Sequence, residues 1–405
     1  MNETELEEYT LKKYEQLKEE MSDLIQFQQI LIENWNKNKD EENIIQNLLL
    51  TPEIKEKYLQ DKLLFTEFLH SIRRFLDTRP DSFPFVEKIL FQIITEIRTT
   101  FFSNELYTIF FWNRNILLFL YEHECITIES LRQYSDFFKF YYFYPEFYEK
   151  DFQFFEKTSK KYENLMLQFS NSKSYHYGTD ENNLNAFKIK RRINHSDEKI
   201  AQIIRNDDID SFIKYISSTN LNLNTKLKKS AFESNSLLFF EPTLFEYSAF
   251  FQSLNIFRFI FIKNGEITSN LAKYAIAGGN YEIIHLLETK NVVFDDECLI
   301  TAIIYHHDDI IEYLIENYDL LNQIPIEKVI RNCIQSYNFS FLLNFIENTS
   351  NKFFNEYFLN EACQNGIFHL VKIILDFPNI DINKINEKTG IFFFSNFFML
   401  HFIVL

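Results

Sequence analysis

Apolar residues in the C-terminal half of the chain recur in a three-point pattern. With a small residue as position zero, Ser248, Ala275, Ala302, Cys333 and Ala362 follow one another at steps of 27, 27, 31 and 29 residues. Apolar residues stand eight, nine and twelve positions after each: Ile256/Phe257/Ile260, Ile283/Ile284/Leu287, Ile310/Ile311/Leu314, Phe341/Leu342/Phe345 and Leu370/Val371/Ile374. A more degenerate unit places Ile204 at zero and Phe212, Ile213 and Ile216 at the apolar positions. This spacing predicts two short helices meeting at a tight turn, with the small side chain permitting close approach. Turn chemistry falls between them, at Gly278-Gly279-Asn280, His306-His307-Asp308 and Asn365-Gly366. One such pair cannot bury its own apolar face, so successive pairs must stack into an all-α array.

The N-terminal half reads as helix without this signature. Tyr14, Leu17, Met21, Leu24, Gln28, Leu31 and Trp35 alternate spacings of three and four, an apolar stripe expected to pack within its own domain rather than as a coiled-coil seam. Thr51-Pro52-Glu53 starts a helix running to about Leu76, with a capping residue followed by proline and an acid. Further helices are expected over 83–101, 104–122, 128–144 and 146–169, the last two separated by Pro145. The aromatic run Phe137–Phe155 is expected to be core, because so large an exposed apolar surface would promote aggregation. Residues 115–131 echo 255–271. The resulting organisation is an N-terminal helical domain over 1–170, a polar linker over 171–196, a repeat array over 197–390 and an atypical apolar tail over 391–405.

The order apolar, small, glycine-containing turn, Ile/Val pair, then Leu/Ile resembles the ankyrin repeat, most plainly in Leu271–Glu288 and Leu359–Asn383. Asp381-Ile382-Asn383 looks like the finger leading into a next unit. The family's Thr-Pro-Leu-His helix start is absent, most steps are shorter than its usual 33 residues, and the unit from Ile204 to Ser248 spans 44. Over roughly 196–390 the chain is thus similar to the divergent ankyrin-like proteins abundant in single-celled eukaryotes. The resemblance implies an α-solenoid of about six degenerate repeats and a noncatalytic scaffold that binds a protein partner on its concave face. The first-helix positions expected to face that groove are Glu246, Gln252, Lys273, Tyr305, Gln335, Tyr337 and Gln364.

Charge narrows the partners. The formal charge of −17 argues against nucleic acid and anionic membrane, whose phosphates need a cationic surface. The basic run Lys188-Ile189-Lys190-Arg191-Arg192 is expected to be a solvated linker segment. The cysteines, 125, 298, 333 and 363, lack CxxC spacing and read as buried free thiols. The charged first residues carry no secretory signal, and no internal run reaches the roughly 18 apolar residues of a membrane span. A cytoplasmic location is therefore expected.

Sequence chemistry offers no catalytic, cofactor-binding or metal site. His306-His307-Asp308-Asp309 coincides with an interhelix turn, where adjacent side chains diverge instead of converging on an ion. His123-Glu124-Cys125 reads as a helix end, and the acid pairs Asp207-Asp208 and Asp295-Asp296 as solvated turns. The six glycines form no phosphate-cradling motif. Two alternatives remain: an enzyme with an unrecognised site in the N-terminal helical half, or a membrane-associated adaptor held by the apolar tail.

Overall fold

The computed structural model describes residues 3–35, 41–133, 136–169, 181–349, 354–378, 380, 385–386 and 391–392. The chain is all-α, with 25 α-helices among the described residues and one two-residue hairpin, Ile385–Asn386 against Ile391–Phe392. Asp381-Ile382-Asn383, Lys388-Thr389-Gly390 and the tail beyond 392 lie outside the described residues.

Six helix pairs occupy the repeats: Lys199–Arg205 with Ile209–Thr219, Leu244–Phe250 with Leu254–Ile262, Leu271–Gly278 with Tyr281–Glu288, Asp296–Ile304 with Asp308–Tyr318, Ile326–Ser336 with Phe339–Thr349, and Glu356–Asn365 with Phe368–Leu375. All six zero positions, Ile204 included, are fully buried. The small side chains at five of them allow adjacent first helices to approach. Gly278 serves the same end, because a Cβ there would overlap the carbonyl oxygen of Ala249 in the preceding repeat. The apolar positions are buried with three departures: Phe341 and Ile216 are half-buried, and Ile213, in the same first and most degenerate unit as Ile216, is 40% exposed.

Every interhelix turn contains one residue with left-handed backbone: Asp207, Gln252, Gly279, His306, Tyr337 and Gly366. In the last five copies this residue stands four positions after zero. In four of those five copies the next residue's N–H closes the first helix onto the zero carbonyl: Ser253 to Ser248, His307 to Ala302, Asn338 to Cys333 and Ile367 to Ala362, at 2.9–3.1 Å. Glycine fills the left-handed position only twice. At three of the other four turns its side chain ties one repeat to the next. His306 Nε2 lies 3.0 Å from the Ser336 carbonyl, the Tyr337 hydroxyl donates to the Asn365 carbonyl, and Asp207 accepts from the N–H groups of Asn255 and Ile256. A glycine would relax the backbone but lose that tie.

The chain divides into two compact units, Met1–Phe75 with Asp295–Leu405, and Leu76–Phe294. This division follows contacts, along a different line from the compositional break at 171–196. In the first unit, the 32-residue helix Glu3–Asn34 packs against the second helices Phe339–Thr349 and Phe368–Leu375. Its stripe, Tyr14, Leu17, Met21, Leu24 and Leu31, is buried there. Gln28, the polar residue in the stripe, donates to the Ser71 hydroxyl and to the Tyr337 carbonyl, each at 2.9 Å. Helix Lys62–Thr78 brings Glu67 to His369, with the carboxylate 2.9 Å from Nδ1, and sets His70 against Gly366.

The second unit combines the first three repeats with a helical bundle from Phe83 onward. The aromatic run supplies its core: Phe140 stacks between Phe147 and Phe155, while Tyr141 and Tyr144 pack edge-on to Phe187. Residues 181–191 of the expected linker are therefore helical, with Leu184 and Phe187 buried. The echo between 115–131 and 255–271 extends to the backbone. Glu124 and Asn264 are both left-handed, and Cys125 and Gly265 donate equivalently to the Leu120 and Ile260 carbonyls.

Candidate functional site

First helices carry the face on which a partner was expected, and the two units differ there. In the second unit the face is sealed. All seven residues of Leu244–Phe250 are buried, as are seven of the eight in Leu271–Gly278. The long connection between the first two repeats covers them: the Tyr274 hydroxyl donates to the Leu237 carbonyl at 3.0 Å. Asn235 anchors that connection by donating to Asp77 and capping Leu237. The same connection carries Glu233 to a buried imidazole, described below.

In the first unit the face is partly open, and a polar ladder crosses three repeats. Asp296 and Glu297 of one first helix accept from Lys328 of the next, at 2.7 and 2.8 Å. Those hydrogen bonds hold the Lys328 ammonium above its ordinary pKa and the Asp296 carboxyl below its own. Arg331 then donates to the Tyr357 hydroxyl of the third helix and lies 3.5 Å from Glu361. Gln335 reaches the same carboxylate at 3.3 Å. Repeat equivalence builds the ladder: Glu297, Lys328 and Tyr357 each stand five positions before zero, and Arg331 and Asn360 two before it. Asn360 is 4% exposed, and its Nδ2 has no hydrogen-bond partner.

Of the residues expected in the groove, Gln335 and Gln364 are exposed on this open face. Gln252 is exposed at a left-handed turn of the second unit, and Lys273 is half-exposed there. Three others are buried and take structural roles. Glu246 closes a capping box with Thr243 and accepts from Thr268. Tyr305 stacks on His307, and Tyr337 is the fully buried left-handed residue of its turn. Glu246 lies within its first helix, and Tyr305 and Tyr337 follow the ends of theirs, with all three side chains packed into the stack. Lys328, Arg331, Tyr357 and Asn360 were missed, although their shared offsets from the zero position carry the signal.

In the basic run at 188–192 only Arg191 is buried, while Ile189 and Arg192 are exposed and Lys188 and Lys190 half-exposed. Lys188 pairs with Glu149, Lys190 with Asp197 and Arg192 with Glu122. Arg191 is buried and forks onto both oxygens of the buried Glu146 at 2.7 and 2.6 Å, while donating to the Tyr142 carbonyl. A bidentate pair is the geometry in which a buried arginine is tolerated.

At His306-His307-Asp308-Asp309 the side chains diverge. His306 faces Ser336, His307 lies on Tyr305, and Asp308 lies beside Asn338 at 3.5 Å, with burial raising its carboxyl pKa. His123 is wedged against Phe119 and Phe91, and Cys125 is a buried thiol at the same helix end whose pKa burial raises. Among the described residues no three His, Cys, Asp or Glu side chains converge on a possible metal position.

Two buried clusters of titratable groups had no sequence signal. His195 is 1% exposed and lies between Glu233 at 3.0 Å and Asp81 at 2.9 Å. Burial opposes its charged form, but the two carboxylates outweigh it and raise the pKa to about 9, so the ring is an imidazolium at neutral pH. Glu67 and His369 form the other cluster. A small recess of about 10 Å³ lies beside the Arg192–Glu122 pair, lined also by Phe83, Asn115 and Tyr142.

Residues 263–346 match a family described as a domain of unknown function (DUF3447). No curated protein and no solved structure matches the chain. No helix among the described residues is long and apolar enough to cross a membrane.

Proposed function

We propose that the protein is a noncatalytic scaffold of ankyrin-like architecture that binds a protein partner on the first-helix face of residues 295–365. One contrast carries this reading: the equivalent face is sealed in the second unit, whereas here it presents a polar ladder spanning three repeats. Solenoids bind through such faces, because their template positions hold the stack and leave the intervening side chains for recognition. The strongly perturbed titratable groups support a structural role, since His195 is enclosed by its two carboxylates. A reducing, cytoplasmic setting suits the four buried free thiols.

The test is quantitative affinity capture with the full chain and with an Arg331→Gln/Gln335→Ala/Gln364→Ala variant. The variant should melt as the parent does and lose the captured partner. Undiminished capture would exclude this face.

A further inference from the structure

Two rows of side chains run across the open face, and together they define the chemistry of what could lie between them. The first is acidic: Asp296, Glu327 and Glu356 each stand six positions before zero, in the first turn of three successive first helices. The second is made of carboxamides: Gln335 and Gln364, both exposed, stand two positions after zero. Eight residues of helix separate the rows, about 12 Å at 1.5 Å per residue. Midway lies the row of Arg331 and Asn360, the latter more than nine-tenths buried with its Nδ2 donor unpartnered.

Resting on the scaffold reading above, we propose that this face binds an extended basic peptide segment lying across the repeats. A peptide backbone alternates N–H and C=O groups, and carboxamides supply both complements at once. A main-chain carbonyl would satisfy the orphan Asn360 Nδ2 once that buried side chain turned outward, and Gln335 and Gln364 would flank the strand. The acidic row, half-exposed at Asp296 and Glu356 and exposed at Glu327, would take the basic side chains. Lys328 and Arg331 do not reverse the sign, because the face carries Asp295, Asp296, Glu297, Glu327, Glu356 and Glu361 against these two cations.

Geometry also sets a spacing. Packed helices lie about 8–10 Å apart, and an extended chain advances about 3.3 Å per residue, so one acid of the row should meet about every third residue of the peptide.

The test uses the full chain and two labelled peptides of equal composition, one of three Lys-Ser-Ser units and one with the three lysines contiguous, compared by fluorescence anisotropy. The spaced peptide should bind more tightly, and Glu327→Gln/Glu356→Gln should weaken it by about fivefold or more, as expected for two partly exposed ion pairs. Asn360→Leu, which removes the orphan donor without touching a charge, should weaken both peptides alike. Equal binding of the two peptides, indifference to these variants or no binding would overturn the inference. If neither peptide binds while partner capture still depends on Arg331, Gln335 and Gln364, the scaffold reading stands and the basic-peptide reading falls.

Discussion

Gln28 donates its side-chain amide to the carbonyl of Tyr337, 309 residues further along the chain. The carbonyl belongs to a left-handed turn residue and also accepts from the Phe339 N–H at 3.0 Å, so Gln28 supplies the second of its two donors. Gln28→Leu keeps the apolar stripe but leaves that carbonyl and the Ser71 hydroxyl short of a donor. Stability should fall by about 1 kcal/mol, the net contribution of a lost buried hydrogen bond, measured by urea denaturation. An unchanged midpoint would mean that water replaces the amide.

Left-handed turn positions should respond oppositely to opposite substitutions. Gly366→Ala adds a Cβ 3.2 Å from the His70 ring at a backbone angle that disfavours it, and should cost about 1 kcal/mol or more. His306→Gly relieves strain of similar size but removes the tie to Ser336, so its net effect should be within about 1 kcal/mol of zero. Thermal melts of the two variants side by side decide the matter.

Arg191 and Glu146 should show the asymmetry of a buried pair. Arg191→Ala strands the Glu146 carboxylate and should destabilise by about 3–5 kcal/mol, whereas replacing both partners with apolar residues of similar volume should recover most of the loss. A double-mutant cycle reads the coupling directly, and additive losses would contradict the pairing.

His195 predicts a pH dependence of definite sign. Its folded pKa of about 9 lies above the ordinary histidine value, so the folded state binds the proton more tightly. The corresponding stability is fully present below about pH 6.5 and is lost as pH rises through about 9. Denaturation midpoints should therefore fall over that interval, and His195→Gln should flatten the slope. A parent and variant with parallel pH profiles would place the charge elsewhere.

At the zero position of a repeat, Ala275→Glu would bury an unpaired charge between helices and should cost several kcal/mol, the most damaging of these changes. Circular dichroism at rising temperature would report it, and a stable, fully helical variant would remove the small residue from the packing role assigned to it.

Repeat architecture was legible because burial imposes a period: Ala275, Ala302, Cys333 and Ala362 are small for one shared reason, and the pairs that follow are apolar for another. Orientation at the turns was not. Gln252 and Tyr337 occupy the same left-handed slot, yet one side chain reaches solvent and the other is enclosed, because only Tyr337 finds Asn365 and the Lys62–Thr78 helix against it. The sealing of the second unit's face was equally hidden. The polar stretch at 220–243 looks like an ordinary long connection until Asn235 and the Leu237 carbonyl pin it over the first helices. The basic run misled because three of its four neutralising carboxylates, Glu122, Glu146 and Glu149, come from helices 39 or more residues away.

The pairing of the opening helix with the last repeats also sets a clock. Ribosomes extend a chain by about 5–20 residues per second, so Gln28 emerges roughly 15–60 s before Tyr337 exists to receive it. During that interval the stripe Leu17, Met21, Leu24 and Leu31 has no native surface to cover, while residues 76–294 can already be completing their own contacts. The protein should thus depend on chaperone protection early in synthesis, and most acutely for its first thirty-five residues.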